Sequence, residues 1–315
     1  MKGSAPLFAA VDLGSNAFRM TIGQQINGNR RPLIRKVKSL REPVRLAEGL
    51  RDESLDRLAL ERGWQALERF GKHLSGFKEA RVRAVATSAV RQARNAAVFL
   101  ASGEARLGFP ISVISGQEEA ELVFSGIAHT MPCEKTTRLV VDIGGGSTEL
   151  IVGRGKQPIF TESLTIGSGT FGKRYFPAGR VDSRALQLAE QHATLEFSRV
   201  DGYIREHNWH AAIGSSGTAR MLSRVLKANG LNDGGRDGIT YAGLLRLSLA
   251  LLDAGQVKRL KLGGLQAHRQ GMLPGGLAIM LAAFKVFGIE DMTPSEPGLR
   301  FGLLHSLMDN GSSRH

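Results

Sequence analysis

"VDLGSNAFRMTIG" at residues 11–23 and "VDIGGGSTELIVG" at residues 141–153 follow one plan: Val-Asp, then Leu or Ile, then Gly, a small polar turn, and an apolar run closing on Gly. An apolar run, a polar turn and a second apolar run make a β-hairpin whose turn carries the polar groups. The copies lie 130 residues apart, and self-similarity at that spacing predicts two similar domains facing one another. Strands alternating with helical stripes elsewhere predict a mixed α/β sheet in each. A cleft between two such domains is the expected ligand site.

Working outward, Leu55, Leu58, Trp64, Leu67, Phe70 and Leu74 recur at the spacing of an amphipathic helix. "RVRAVAT" (81–87) and "ISVI" (111–114) read as strands, and "RQARNAAVFLASGEARLG" (91–108) and Gln117 to about His129 as helices. "MPCEKTT" (131–137), with Pro132, reads as a linker. Asp182 is placed to cap a helix over 183–206, "AAI" (211–213) is a strand, and the helix through 216–230 ends at Gly230. "GLNDGGRDG" (230–238) is a loop. The apolar stretch from Gly276 to Gly288 is short and carries Lys285, so a core helix is expected there and no membrane span.

Among the 315 residues, 42 Lys and Arg against 29 Asp and Glu leave a formal charge of +13, which favours polyanionic partners. The basic residues are spread along the chain and no nucleic-acid-binding module is recognisable, so nucleic acid is not the expected partner. The lone Cys133 allows neither an internal disulfide nor a cysteine-built zinc site, as suits a reducing cytoplasm. The N-terminus makes no signal peptide, and the eight histidines form no metal-spaced cluster.

Three turns combine glycine with hydroxyl or amide side chains: Gly14-Ser15-Asn16, Gly144-Gly145-Gly146-Ser147-Thr148 and Gly214-Ser215-Ser216-Gly217. Each offers backbone N–H groups suited to phosphate oxygens. One such turn is a weak signal; three, two of them in a duplicated hairpin, point to phosphate. Asp12 and Asp142 hold the same place before the turn in each repeat. A carboxylate beside bound phosphate needs a cation between them, which implies Mg²⁺. For Asp142, with Glu149 on the next strand, the metal role leads; for Asp12 an Asx cap of its own turn stands level with it. Arg19, Arg91 and Arg220 lie near the turns and could grip phosphate bidentately, Arg91 being the best placed. The basic run at 29–45 could track an extended polyanion or be a solvated strand face.

Ser115 and Glu118 fit a capping box in which Glu118 folds back to the first free N–H. Glu119 shares a face with Leu122, Val123 and Ile127, so it projects from the apolar stripe, where desolvation would suit it to general-base work. Acids in a first helical turn are also common because the dipole favours them. Periodicity alone leaves the two readings open.

Taken in order, "AAVDLGSNAFRM", "VRLAEGL", "ATSAVRQARN", "ISGQEEAELVFSG", "VDIGGGSTEL", "AIGSSGTARML", "MLPGGLAIM" and "GLRFGLL" resemble the exopolyphosphatase and guanosine pentaphosphate phosphohydrolase (Ppx/GppA) family, within the actin, Hsp70 and sugar kinase superfamily. The resemblance implies two actin-like, ribonuclease H-like α/β domains with a cleft between them, at 1–128 plus a C-terminal helix 299–315, and at 129–298. It implies Mg²⁺-dependent hydrolysis of a terminal phosphoanhydride, with Glu119 activating water, Asp142 and Glu149 as metal carboxylates, Arg91 as the motif arginine, and the three turns holding phosphate. Homodimerisation is a further family expectation. Phe301 stands where many relatives have Glu, and Gln270-Gly271 where Ala-Asp is frequent. Longer relatives carry an additional helical domain, so processivity on long chains does not follow from the resemblance.

The expected function is exopolyphosphatase, with guanosine pentaphosphate as the alternative substrate. Net charge cannot choose between two such anionic molecules. An ATP-dependent small-molecule kinase and a non-catalytic polyphosphate or alarmone sensor are the competing classes. The "SGQEEA" motif weighs against the first and the Glu119, Asp142 and Glu149 set against the second.

Overall fold

The computed structural model describes residues 5–27, 32–130 and 136–312. Cys133 and Pro132 of the expected linker, and residues 29–31 of the basic run, lie outside them. The chain divides into two compact units, Met1–Thr130 with Pro297–His315, and Met131–Glu296.

In the first unit the sheet runs β3 (Pro32–Glu42), β2 (Phe18–Asn27), β1 (Leu7–Leu13), β4 (Val82–Ala86), β5 (Ile111–Val113). The β1-β2 and β2-β3 pairs are antiparallel; β4 lies parallel to β1, and β5 to β4. Parallel neighbours require a crossover, supplied for β4 by α1 (Arg57–Leu74). Asp56 starts α1 by accepting from the Ala59 N–H at 2.7 Å. Ala59, Ala66, Leu67, Phe70 and Leu74 form its buried stripe, whereas Leu58 of the expected stripe is 65% exposed. Leu58 precedes Ala59, and one residue is about 100° of helix, enough to turn it outward. Then come α2 (Ser88–Arg91), α3 (Ala96–Leu107) and α4 (Gly116–Ala128).

The C-terminal helix, Leu299–Ser312, packs Leu303, Leu304, Leu307 and Met308 against Phe8, Ala10, Val85 and Leu122. Two glycines allow α4 and this helix to approach backbone to backbone. A Cβ at Gly126 would lie 2.2 Å from the Gly298 carbonyl oxygen, and one at Gly302 would lie 2.0 Å from that of Leu122.

In the second unit the sheet runs β8 (Gln157–Leu164), β7 (Thr148–Arg154), β6 (Thr137–Ile143), β9 (Ala211–Ser215), β11 (Asp291–Pro294), β10 (Ile239–Thr240). Its first five strands repeat the 3-2-1-4-5 order of the first unit, again with two antiparallel pairs followed by two parallel ones. This repeat is the α/β, ribonuclease H-like topology of actin-like domains, and the duplicated hairpins are its first two strands each time. The helices are α5 (Ser168–Tyr175), α6 (Ser183–Ser198), α7 (Asp201–Glu206), α8 (Ser216–Ala228), α9 (Tyr241–Ala254) and α10 (Leu273–Phe287). Almost all of α10 is buried. The stretch Ala267–Phe287 is apolar and long enough to cross a bilayer, but 72% of its apolar window is buried within the protein, as a core helix requires.

The single helix expected over 183–206 is broken between α6 and α7, where Val200 leaves helical geometry at φ −121° and ψ −3°. The break lets Phe197, Val200 and Ile204 all join the core. The capping box at α4 is half formed. Ser115 Oγ accepts from the Glu118 N–H at 3.0 Å, but the Glu118 carboxylate turns to Arg83 Nη2 at 2.7 Å. A charge-assisted bond to a guanidinium is stronger than one to a backbone N–H.

Candidate active site

In the second unit, Asp142 on β6 and Glu149 on β7 are directly opposed across the antiparallel pair, so both carboxylates stand on one face of the sheet. Ser163 of β8 pairs with Glu149, and Ser215 of β9 with Asp142, completing a polar row across four strands. Ser163 Oγ donates to Glu149 Oε1 at 2.9 Å, which orients that carboxylate. Glu149 is buried and Asp142 partly exposed.

The intervening turn is held from behind. The Gly144 N–H closes on the Ser147 carbonyl at 2.8 Å, while the Gly144 and Gly145 carbonyls accept from the N–H groups of Ser168, Gly169 and Thr170 at the start of α5. The amides of Gly145, Gly146 and Ser147 take no part in these bonds, the arrangement a phosphate-binding turn requires. Thr148 differs from its neighbours: it is fully buried and its hydroxyl donates to the Ile166 carbonyl at 2.7 Å, so that hydroxyl braces the hairpin.

The Gly214–Gly217 turn opens α8. Ser216 sits at φ +78°, in the left-handed region, and its Oγ accepts from the N–H groups of Thr218 at 3.0 Å and Ala219 at 3.4 Å. This hydroxyl caps the helix in place of Ser215. Arg269 lies against the turn, donating from Nη1 to the Gly217 carbonyl at 2.6 Å, and a Cβ at Gly217 would meet its guanidinium at the same 2.6 Å. Glycine there admits the arginine. Arg220 points elsewhere, donating to the carbonyls of Ser295 and Glu296.

In the first unit, the turn after β1 is tied to the following loop: the Asn16 carbonyl accepts from the Arg45 N–H at 2.8 Å and that of Ser15 from the Ala47 N–H at 3.0 Å. Gly14 precedes them, and a Cβ there would approach the Ala17 carbonyl to 3.2 Å. Asp12 holds the place of Asp142, but its partner across the hairpin is Arg19, where the second unit has Glu149. Arg300 approaches Asp12 Oδ2 to 3.6 Å. The two hairpins therefore share a backbone and differ in charge: two acids in the second, an acid and arginines in the first.

Burial pushes the Asp12 carboxyl above its ordinary value of 3.8, against the opposing pull of Arg300 and Arg19. A carboxyl whose folded pKa is raised binds its proton more tightly in the folded state, so its contribution to stability is complete below 3.8 and is lost as pH rises through the raised value. In an Asp12→Asn variant that part of the pH dependence of the urea midpoint is expected to vanish; an unchanged profile would refute the assignment.

Glu119 projects from α4 and is 8% exposed. Arg91, at the end of α2, donates from Nη1 to Glu119 Oε2 at 3.3 Å and to the Ile114 carbonyl at 2.8 Å. Burial opposes the charge on this carboxylate and the guanidinium favours it. Glu118, its sequence neighbour, is committed to Arg83. The structure thus brings Glu119 and Arg91 together in the first unit and Asp142 and Glu149 together in the second. Sequence reading missed Arg269 and Arg300 as neighbours of the turns. The signal for the charge difference at Arg19 and Glu149 was available, since each stands seven residues after its aspartate.

Residues 24–311 match the Ppx/GppA phosphatase family. Among solved structures, an exopolyphosphatase from Cytophaga hutchinsonii superposes with a TM-score of 0.84 at 23% identity, covering 97% of this chain and 98% of that one. The Ppx/GppA family member of Aquifex aeolicus superposes with a TM-score of 0.76 at 25% identity, over 98% of this chain and 100% of that one. A second structure of an Aquifex aeolicus PPX-GPPA enzyme gives 0.74 at 26% identity, over 96% and 100%.

Proposed function

Because the chain belongs to the Ppx/GppA phosphatase family and is therefore a hydrolase, we propose that it removes the terminal phosphate of inorganic polyphosphate, with guanosine pentaphosphate as the alternative substrate. The observation that carries this reading is the buried Glu119 carboxylate fixed by Arg91 beside the Ile114 carbonyl. A base held that way can receive a proton without reorganising.

In this reading water attacks the terminal phosphorus, the bond to the bridging oxygen breaks, and the proton of the attacking water passes to Glu119. Orthophosphate and a chain one unit shorter leave. On the first unit Arg91, Arg19 and the amides of Gly14 to Asn16, and on the second the amides of Gly145 to Ser147 and of the Gly214–Gly217 turn, are the groups suited to neutralise phosphoryl oxygens, which is where such a reaction accumulates charge.

Mg²⁺ fits the residues present. Among the described residues no group of three His, Cys, Asp or Glu side chains is clustered for a metal. Mg²⁺, however, is usually held by one or two carboxylates with water and substrate phosphate completing the octahedron. Asp142 and Glu149 on one sheet face are such a pair. When bound, the ion supplies positive charge to the anhydride oxygens. Asp12 is the weaker ligand, because Arg300 already provides a cation beside it.

Phosphate release from long-chain polyphosphate and from guanosine pentaphosphate, each with Mg²⁺ or EDTA, tests the reading, and the faster substrate identifies the preference. Release is expected with Mg²⁺ and not with EDTA. Binding of both substrates without release from either would favour the sensor.

A further inference from the structure

Arg41 is not accounted for by the hydrolytic set. It lies on β3 directly opposite Arg19 of β2, which is opposite Asp12 of β1, so the three side chains form a row on one face of the first unit's sheet. Like charges directly opposed across strands destabilise a sheet. The Arg41 Nε and Nη2 atoms are buried and have no hydrogen-bond partner among the described residues. Burial, and then the charges of Arg19 and Arg45, weaken its hold on its proton.

The nearby acids are engaged elsewhere. Asp12 is met by Arg300 at 3.6 Å, Glu42 by Arg69 at 2.8 Å and Glu48 by Arg45 at 3.8 Å. Two facing guanidiniums, one with desolvated and unsatisfied donors, are costly unless an anion completes them. A planar fork of N–H donors matches a phosphoryl group.

We propose that Arg41 and Arg19 form a phosphoryl-binding subsite on the first unit, with Arg45 at its edge, that takes a further phosphoryl group of a condensed phosphate chain. The proposal rests on the reading above that condensed phosphate is the substrate class. Arg41 acts in binding rather than in bond breaking, and it extends the grip of Arg19.

The test is the binding of inorganic tripolyphosphate to the full chain in EDTA, measured by calorimetry, for wild type, Arg41→Gln and Arg41→Lys. Arg41→Gln is expected to weaken binding about tenfold, as loss of a charge-assisted contact does, and to flatten its salt dependence. Arg41→Lys is expected to recover part of the affinity. In phosphate-free buffer the thermal midpoint of Arg41→Gln is expected to be equal to or above that of wild type, because like-charge repulsion is relieved. Wild-type affinity in Arg41→Gln, or a lowered midpoint with unchanged affinity, would overturn the subsite and assign Arg41 a structural role. Should Arg41→Gln fail to fold, wild-type affinity in Arg41→Lys would overturn it equally. No binding by wild type either in EDTA or with Mg²⁺ would instead remove the condensed-phosphate reading, and the subsite with it.

Discussion

Glu119→Gln is expected to lower Mg²⁺-dependent phosphate release about 1,000-fold, the middle of the range for losing a general base, while tripolyphosphate binding changes little. The substitution is nearly isosteric. It keeps an oxygen able to accept from Arg91 Nη1 and removes the group that takes the proton. Glu119 is buried with Arg91 at 3.3 Å, so removing the charge leaves a guanidinium that still donates to the Ile114 carbonyl at 2.8 Å. The fold should survive, and circular dichroism with a thermal melt checks that it does. If release fell only a few fold in a folded variant, Glu119 would be a structural partner of Arg91 and the base would lie elsewhere. Glu118→Gln is the internal control. Its carboxylate bonds to Arg83 and is partly exposed, so release should stay within about twofold of wild type, as expected for a surface pair of small energetic worth.

How much of the fold and the site was legible in the sequence follows from what each signal reports. Hairpins are local, so the Val-Asp-x-Gly repeat located β1-β2 and β6-β7 from residue pattern alone. Glu119 could be placed on the apolar stripe of α4 because helical periodicity is equally local. Its partner could not, since Arg91 lies 28 residues earlier and only the tertiary fold brings its guanidinium to Glu119. The same limit applies to Arg300, which reaches Asp12 from the far end of the chain. The break at Val200 was invisible for a different reason: the 183–206 pattern is helical on both sides of it, and burial of Ile204, a tertiary demand, sets where the chain turns. Ser216 could be read as a hydroxyl for phosphate, but its left-handed backbone and its role as cap of α8 depend on a conformation that residue type does not disclose.

Gly302→Ala is expected to cost about 3 kcal/mol, at or above the top of the usual range for overpacking, and to reduce activity as well. The added Cβ would lie 2.0 Å from the Leu122 carbonyl oxygen and 2.8 Å from its carbonyl carbon. Both are backbone atoms of α4, so no side-chain rotation can relieve the clash. The C-terminal helix and α4 must separate, disturbing the contacts of Leu303, Leu304 and Leu307 with Phe8, Ala10 and Leu122. Leu122 is three residues from Glu119, and a shift of α4 moves Glu119 relative to Arg91. The same substitution at Gly202 in α7 meets nothing within 4 Å, and there alanine is expected to raise stability by up to about 1 kcal/mol through its better helix propensity. Urea midpoints of the two variants should move in opposite directions. If Gly302→Ala were as stable as Gly202→Ala, the close approach of the two helices would not be the contact that holds α4 in place, and the positioning of Glu119 would have to come from Arg91 and Ser115 alone.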